Sequence, residues 1–115
     1  MGDLSRNFSE REFRCRCGCG RAEINPALVE ALQELRDLAA RPVRITSGYR
    51  CPDHNRAQGG KSRSQHLLGN AVDIVIDGLS PIEMYCLAEK VAAFRNGGLG
   101  IYPNNGIIHV DVRDD

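Results

Sequence analysis

The sequence predicts an α+β fold, in which a small antiparallel β-sheet has helices packed on one side. Two stretches, residues 26–40 and 81–95, repeat their apolar side chains at helical spacing. Four shorter stretches have the alternation or the β-branched content of strands, and turns with Gly, Pro and Asn separate them. The length of 115 residues and a hydrophobic content of 42% predict one folded domain over residues 1–115.

The first 14 residues form a polar segment with two phenylalanines. We expect Phe8 and Phe13 to hold this segment against the domain, since burial of aromatic rings is strongly favourable. Ser9 and Glu12 have the spacing of a capping box, which predicts a short helical turn.

Both predicted helices begin with N-terminal signals. Asn25 caps the first helix and Pro26 takes the first helical position, and this helix should end near Arg41-Pro42. Ser80-Pro81-Ile82-Glu83 opens the second helix in the same way, with a capping-box glutamate, and Asn96-Gly97-Gly98 ends it. The apolar faces comprise Leu28, Ala31, Leu32, Leu35, Leu38 and Ala39 in the first helix, and Met84, Leu87, Val91 and Phe94 in the second.

The predicted strands are residues 43–46, 72–77, 99–102 and 107–113. The first two are separated by a long loop that begins with residues 47–63, which contain three glycines and a proline. Loops of this length in a small domain often carry function.

A candidate metal site involves the second and last strands. His66 lies in the approach to the second strand and Asp73 near its start; taken alone, this pair fits better a loop histidine and a strand carboxylate that face water. The last strand, however, places His109, Asp111 and Arg113 on one face and its apolar residues on the other. If the two strands pair, His66, Asp73 and His109 can converge as zinc ligands. Three protein ligands leave an open position for water, which is typical of catalytic zinc.

The chain has five cysteines, three of which stand at alternate positions, Cys15, Cys17 and Cys19. A structural four-cysteine zinc site usually contains pairs separated by two to four residues, and this run does not have that pattern. Because the number of cysteines is odd, at least one thiol has no disulfide partner within the chain. The sequence favours reduced cysteines, or one disulfide from this run to Cys51, over a second zinc site.

Charge and hydropathy argue against several classes of protein. The formal net charge is zero and aromatic residues make up 5% of the chain, so we expect no nucleic-acid partner. No apolar run approaches the length of a membrane span, and no positively charged, apolar leader precedes the predicted domain. We therefore expect neither a membrane-spanning helix nor a cleaved signal in the chain as given.

Four blocks of residues, in order along the chain, carry a family resemblance. The blocks are Ser47-Gly48-Tyr49-Arg50, Ser64-x-His66-x-x-Gly69-x-Ala71-x-Asp73, Gly100-x-Tyr102 and His109-Val110-Asp111. Together they resemble the zinc D-Ala-D-Ala carboxypeptidase family, whose fold is shared by lysostaphin-type peptidases and the hedgehog signalling domain. The resemblance covers roughly residues 8–113, and its opening is similar to that of the short bacterial and phage members.

The resemblance implies a Zn²⁺ cofactor held by the three ligands already inferred, His66, Asp73 and His109. It also implies that Arg50 binds the free carboxylate or a carbonyl of a peptide substrate, which suits a planar guanidinium with two parallel donors. A structural arginine is the alternative. Ser64 and Tyr102 are further candidates for substrate contacts, and both also fit packing or capping roles.

The chain departs from the family at the position of the acid/base carboxylate. In well-known members this carboxylate lies three residues before the last histidine ligand, where this chain has Gly106. Asp111 is the nearest replacement, because strand geometry places it on the same face as His109. We assign it as the general base, with orientation of His109 as the alternative.

These observations predict a zinc metallopeptidase that cuts the peptide stem of bacterial peptidoglycan, either as a D,D-carboxypeptidase or as an endopeptidase. Zinc would lower the pKa of a water molecule toward about 7, Asp111 would accept the proton, and zinc with Arg50 would stabilise the oxyanion. The alternative function is a zinc-containing binding module of the same fold, which the missing carboxylate at Gly106 supports. We expect a monomer that acts on the cell wall, and that is cytoplasmic until release if it is a phage enzyme.

Overall fold

A computed structural model describes residues 4–15, 19, 24–49, 51 and 69–113. Within these ranges the order of elements is a 3₁₀ turn Glu10–Glu12, α1 Pro26–Ala39, β1 Val43–Ser47, β2 Ala71–Ile76, α2 Pro81–Ala88, α3 Ala92–Arg95, β3 Gly98–Tyr102 and β4 Ile107–Asp111. In these ranges, no helix combines the length and the apolar character needed to cross a membrane.

The strands form one four-stranded sheet in the order β1-β2-β4-β3, and every neighbouring pair is antiparallel. The predicted α+β fold with a small antiparallel sheet is therefore confirmed. Strands β2 and β4 lie at the centre, and their register sets Asp73 opposite His109 and Ala71 opposite Asp111. The strand pairing on which the candidate metal site depends is thus present.

The helix starts follow the local signals in the sequence. The Asn25 side chain accepts a hydrogen bond from the backbone N–H of Ala27 at 2.9 Å, and Pro26 takes the first helical position. At α2, the Ser80 hydroxyl accepts from the Glu83 N–H at 3.2 Å, and the Glu83 carboxylate accepts from the Ser80 N–H at 2.8 Å. Each arrangement gives partners to N–H groups that a helix start leaves without intrahelical acceptors.

The second helix is shorter than predicted, because the stretch 81–95 is divided between α2 and α3. Val91 has an extended backbone, with φ −87° and ψ 113°, and caps α3 instead of continuing α2. This turn lets the side chains of Val91 and Phe94 both enter the core. In α1 the apolar face stops earlier than expected, since Leu38 is 48% exposed.

The two faces of the sheet have different environments. Val72 and Ile74 of β2 and Ile108 and Val110 of β4 are fully buried in the main core, together with residues of the helices. Side chains alternate along a strand, so Asp73, His109 and Asp111 lie on the opposite face. The helices therefore cover one face, and the candidate site occupies the other.

The N-terminal segment is anchored as expected. Phe8 and Phe13 are buried, with ring centroids 6.3 Å apart. Their 3₁₀ turn has the predicted capping contact, in which the Ser9 N–H donates to the Glu12 carboxylate at 2.6 Å. The segment then reaches a second, smaller buried cluster of Cys15, Tyr49 and Cys51.

Candidate active site

The site is built around Asp73 and His109, which face each other across the two central strands. His109 Nδ1 lies 3.0 Å from Asp73 Oδ1. The two side chains are mostly buried, with 16% of the histidine and 11% of the aspartate exposed. Two predicted ligands are therefore in contact and partly accessible, as a site that must admit a small ligand requires.

Asp111 contacts the second ring nitrogen of His109. His109 Nε2 lies 2.8 Å from Asp111 Oδ2, and Asp111 is fully buried. Arg113 binds this carboxylate with both ends of its guanidinium, through Nη2 to Oδ2 at 2.6 Å and Nε to Oδ1 at 2.8 Å. The Arg113 backbone N–H also donates to Oδ1, at 3.2 Å. This arrangement fixes the plane of the imidazole and directs Nδ1 toward Asp73.

Small residues flank Asp111 on both neighbouring strands and make room for its carboxylate. Its partner on β2 is Ala71 and its partner on β3 is Gly98. A Cβ atom at Gly98 would stand 2.4 Å from Asp111 Oδ2. Glycine is therefore required at this position by close approach and not by a special backbone angle.

These contacts raise the pKa of His109 and lower the pKa of Asp111. Burial opposes protonation of His109, but the hydrogen bonds to Asp111 and Asp73, with their negative charges, outweigh it and raise its pKa to about 9. Burial likewise opposes ionisation of Asp111, but the hydrogen bonds from His109 and Arg113 outweigh it and hold the pKa of this carboxyl well below its ordinary value. Without a metal, the site is therefore an imidazolium between two carboxylates at neutral pH.

The donor set of Asp73 and His109 fits zinc. Ligands bound at about 2.0–2.1 Å in a tetrahedral arrangement lie about 3.3 Å from each other, close to the 3.0 Å between Oδ1 and Nδ1. Loss of the Nδ1 proton would give the lone pair that a metal needs, while Nε2–H continues to donate to Asp111. Histidine ligands of zinc commonly donate their second N–H to a carboxylate in this manner.

Several predicted site residues lie outside the described residues, namely His66, Arg50 and Ser64, so the complete ligand set and the substrate contacts stay predictions. Tyr102 is described, at the end of β3, and is 44% exposed. Gly106 lies in the turn before β4 with φ +68°, and a Cβ there would meet nothing within 4 Å.

Sequence patterns did not reveal the roles of Arg113 and Gly98. The strand ends at Asp111, two residues earlier than predicted, but the alternation predicted for residues 107–113 put Arg113 on the face of His109 and Asp111, which was a usable signal for a partner of the carboxylate. No local signal identified Gly98, because its function depends on the register between β3 and β4.

The comparison with known families agrees with this geometry. A family model described as Peptidase M15 matches residues 6–111 of the chain. The chain belongs to the peptidase M15 family. This confirms the resemblance drawn from the four sequence blocks, and it makes the Asp73–His109 pair part of a peptidase domain.

The M15 chain is similar to curated bacterial proteins that carry a functional name. It is 33% identical over 96 residues to the peptidoglycan L,D-endopeptidase MepK of Escherichia coli K12, across 77% of this chain and 51% of the relative. The protein of the same name from Shigella flexneri matches to the same extent. The probable peptidoglycan L,D-endopeptidase MepK of Haemophilus influenzae is 36% identical over 75 residues, across 61% of this chain and 39% of the relative. The chain thus spans about half the length, or less, of the curated relatives it matches.

Proposed function

We propose that this M15 chain is a zinc-dependent peptidase that hydrolyses the peptide stem of bacterial peptidoglycan. The observation that carries the proposal is the Asp73–His109 contact on the sheet face opposite the helices, with the buried Asp111 on the second ring nitrogen of His109. A carboxylate and an imidazole at this distance match the ligand chemistry of zinc. Family membership and the names of the relatives supply the reaction and the substrate class.

The metal would be held by Asp73 Oδ1 and His109 Nδ1, with His66 as the proposed third ligand. Zinc, when bound, supplies the Lewis acidity that activates water and polarises a carbonyl. The chain's own residues prepare for this: Asp111 and Arg113 hold the His109 ring in place, so Nδ1 is presented in a fixed direction. A ligand that is already oriented loses less freedom on metal binding.

For Asp111 we propose the orienting role and not that of the general base. An effective base has a pKa near the working pH and reaches the proton that it accepts. Asp111 has a lowered pKa, it is fully buried, and its oxygens already accept hydrogen bonds from Arg113 and contact the His109 ring. These properties support an Asp111 carboxylate that stays ionised and holds the His109 ring.

The Asp111→Asn variant separates the two roles. Under the orienting role, zinc binding weakens about 10–100-fold and excess zinc restores activity. A general base would instead make turnover fall about 10²–10⁴-fold at saturating zinc. Asp77→Asn is the matched control, because Asp77 is exposed and pairs with Arg44 at the end of the sheet; it should change neither quantity.

Within peptidoglycan, we propose cleavage of an internal L,D bond over removal of a terminal D-alanine. The support is the names of the relatives, which are called L,D-endopeptidases. Arg50 would then hold a substrate carbonyl, with Ser64 and the exposed Tyr102 as further contacts. Arg50→Lys should lower the activity on crosslinked peptides and free-ended peptides equally; a loss confined to free C-termini would instead show a carboxylate clamp.

The competing function is a zinc-containing binding module without catalysis. Gly106 at the usual position of the acid/base carboxylate, together with the burial of Asp111, supports this alternative. Incubation of purified peptidoglycan with the chain, followed by mass spectrometry of the soluble fragments, decides between the two. The peptidase should release fragments cut at one defined bond, and a chelator or His109→Ala should abolish this release. Binding to the peptidoglycan without any fragment would favour the module.

A further inference from the structure

Three cysteine side chains converge outside the Asp73–His109 site. The sulfur atoms of Cys15, Cys19 and Cys51 all lie within 4.8 Å of one another. Cys15 and Cys51 are buried, whereas Cys19 is exposed. The positions span 36 residues of sequence between Cys15 and Cys51, so the fold, not local sequence, brings the thiols together.

The distances fit shared metal coordination better than a disulfide. Cys15 Sγ and Cys51 Sγ are 3.6 Å apart, well beyond the S–S bond length of about 2.05 Å. Thiolates bound to one tetrahedral zinc at about 2.3 Å lie about 3.8 Å from each other. A disulfide would also leave the third sulfur of the cluster unused.

The spacing along the chain also fits. Consecutive cysteines of the run 15–19 have one residue between them, which is too few for a usual pair of zinc ligands. For this reason the sequence disfavoured a metal site. In the structure, the first and third cysteines of the run, Cys15 and Cys19, belong to the cluster, and they have three residues between them. Separations of two to four residues are typical of paired cysteine ligands of structural zinc.

Backbone contacts hold the cluster in place without relying on a metal. The Tyr49 N–H donates to the Phe13 carbonyl at 2.8 Å. A Cβ at Gly48 would stand 2.7 Å from that same oxygen, so only glycine allows the two segments to approach this closely. The Cys51 N–H points at Cys15 Sγ, at 3.3 Å. Hydrogen bonds from the backbone to a sulfur atom support the charge of a thiolate ligand.

We propose that Cys15, Cys19 and Cys51 supply three of the four ligands of a bound zinc ion, whose fourth position is taken by a group other than these three thiols. The three thiols release their protons on binding, and the ion joins the N-terminal segment to the chain that leaves β1. Cys51 directly follows Arg50 in the sequence, so the ion also fixes the chain next to a proposed substrate contact. The inference does not depend on the proposed function, because the two donor sets share no residue. Cys17 lies outside the described residues and is not part of the proposal.

The experiment uses the full chain with His109→Ala, which removes the first metal site while leaving the cysteines intact. After loading with zinc or cobalt under reducing conditions, this variant should retain one metal per chain. X-ray absorption should show sulfur neighbours at about 2.3 Å from zinc, and the cobalt form should show thiolate-to-cobalt charge-transfer absorption. A further Cys51→Ser change should remove the metal and the absorption, whereas Cys86→Ser, an exposed cysteine on α2, should remove neither.

A second measurement keeps the proposal testable if Cys51→Ser does not fold. An organomercurial reagent titrated into the zinc-loaded His109→Ala chain should release one zinc as the clustered thiols react. Either a metal bound without sulfur neighbours, or no metal in this variant, would overturn the proposal. A Cys15–Cys51 disulfide in the chain purified from its natural source, found by non-reducing peptide mapping, would also overturn it.

Discussion

The close contact between Gly98 and Asp111 provides a test of whether Asp111 orients the His109 ring. A methyl group at residue 98 would stand 2.4 Å from Asp111 Oδ2 and 2.7 Å from Cγ. Ordinary carbon contacts begin near 3.4 Å, so the carboxylate must move by about 1 Å in Gly98→Ala. Asp111 is fully buried and bound by Arg113 at both oxygens, so it has little freedom to move without breaking contacts.

This displacement would weaken the proposed zinc site through the His109 ring. The bond from His109 Nε2 to Asp111 Oδ2 is 2.8 Å long, and a shift of about 1 Å carries it past hydrogen-bonding distance. Loss of the carboxylate partner of a ligating histidine typically costs about 10–100-fold in metal affinity. We therefore expect the affinity of this site for zinc to fall by that factor in Gly98→Ala.

Gly100→Ala is the matched control on the same strand. A Cβ at residue 100 would meet the nearest atom, the Cβ of His109, at 3.7 Å, which is an ordinary contact. Neither glycine has a positive φ, so the extra methyl strains the backbone at neither position. Gly100→Ala should bind zinc as the unaltered chain does.

The assay is a zinc titration followed by the NMR signals of the His109 ring, assigned by comparison with His109→Ala. Thermal unfolding of each variant in the absence of metal verifies that the chain is folded. Equal zinc affinities in Gly98→Ala and Gly100→Ala, with both folded, would refute the conclusion that Asp111 orients the ligand.

Three further predictions concern the titration of His109 and the packing of the core. The His109 signals of the metal-free chain should titrate near pH 9, and zinc affinity at this site should rise about tenfold per pH unit up to that value, since zinc displaces one proton; a midpoint near the ordinary value of 6.5 would contradict the contacts with the two carboxylates. Because the pKa of folded His109 is raised, its contribution to stability should be complete below pH 6.5 and be lost as the pH rises through 9, which denaturant unfolding of the metal-free chain can follow. Phe94→Ala should destabilise the chain by about 3–5 kcal/mol through a core cavity, whereas Leu38→Ala at a half-exposed position should cost much less in the same assay.

The local features of the fold were predictable because their causes are local. A cap such as Asn25 or Ser80 acts within one helical turn, and alternation along β4 already places His109 and Asp111 on one face. The break before α3 was not predictable in this way. It depends on Val91 entering a core that also contains residues of distant elements.

The candidate site likewise has features that depend on local sequence and features that depend on non-local contacts. The sequence identified Asp73 and His109 as candidate ligands, but only the register of β2 and β4 sets them opposite each other. The burial of Asp111 depends in turn on Gly98 of β3, and the cysteine cluster depends on contacts between segments remote in sequence. Each of these is a non-local pairing, which the pattern of one segment does not contain.

The charges of the site explain why a metal there would favour hydrolysis. In the metal-free chain, the carboxylates of Asp73 and Asp111 are balanced by the guanidinium of Arg113 and by His109, which is protonated at neutral pH because its pKa is about 9. The charges of these four described side chains therefore balance, which limits the cost of burying them together. If a divalent ion took the place of the Nδ1 proton, these four side chains and the ion would together carry one net positive charge. A positive charge in a partly buried site stabilises negative charge far better than it does in water, and the negative charge that develops during peptide hydrolysis is on the carbonyl oxygen. The buried carboxylate that contacts His109 would thus balance the imidazolium without the metal, and the proposed metal would add the positive charge that stabilises an oxyanion.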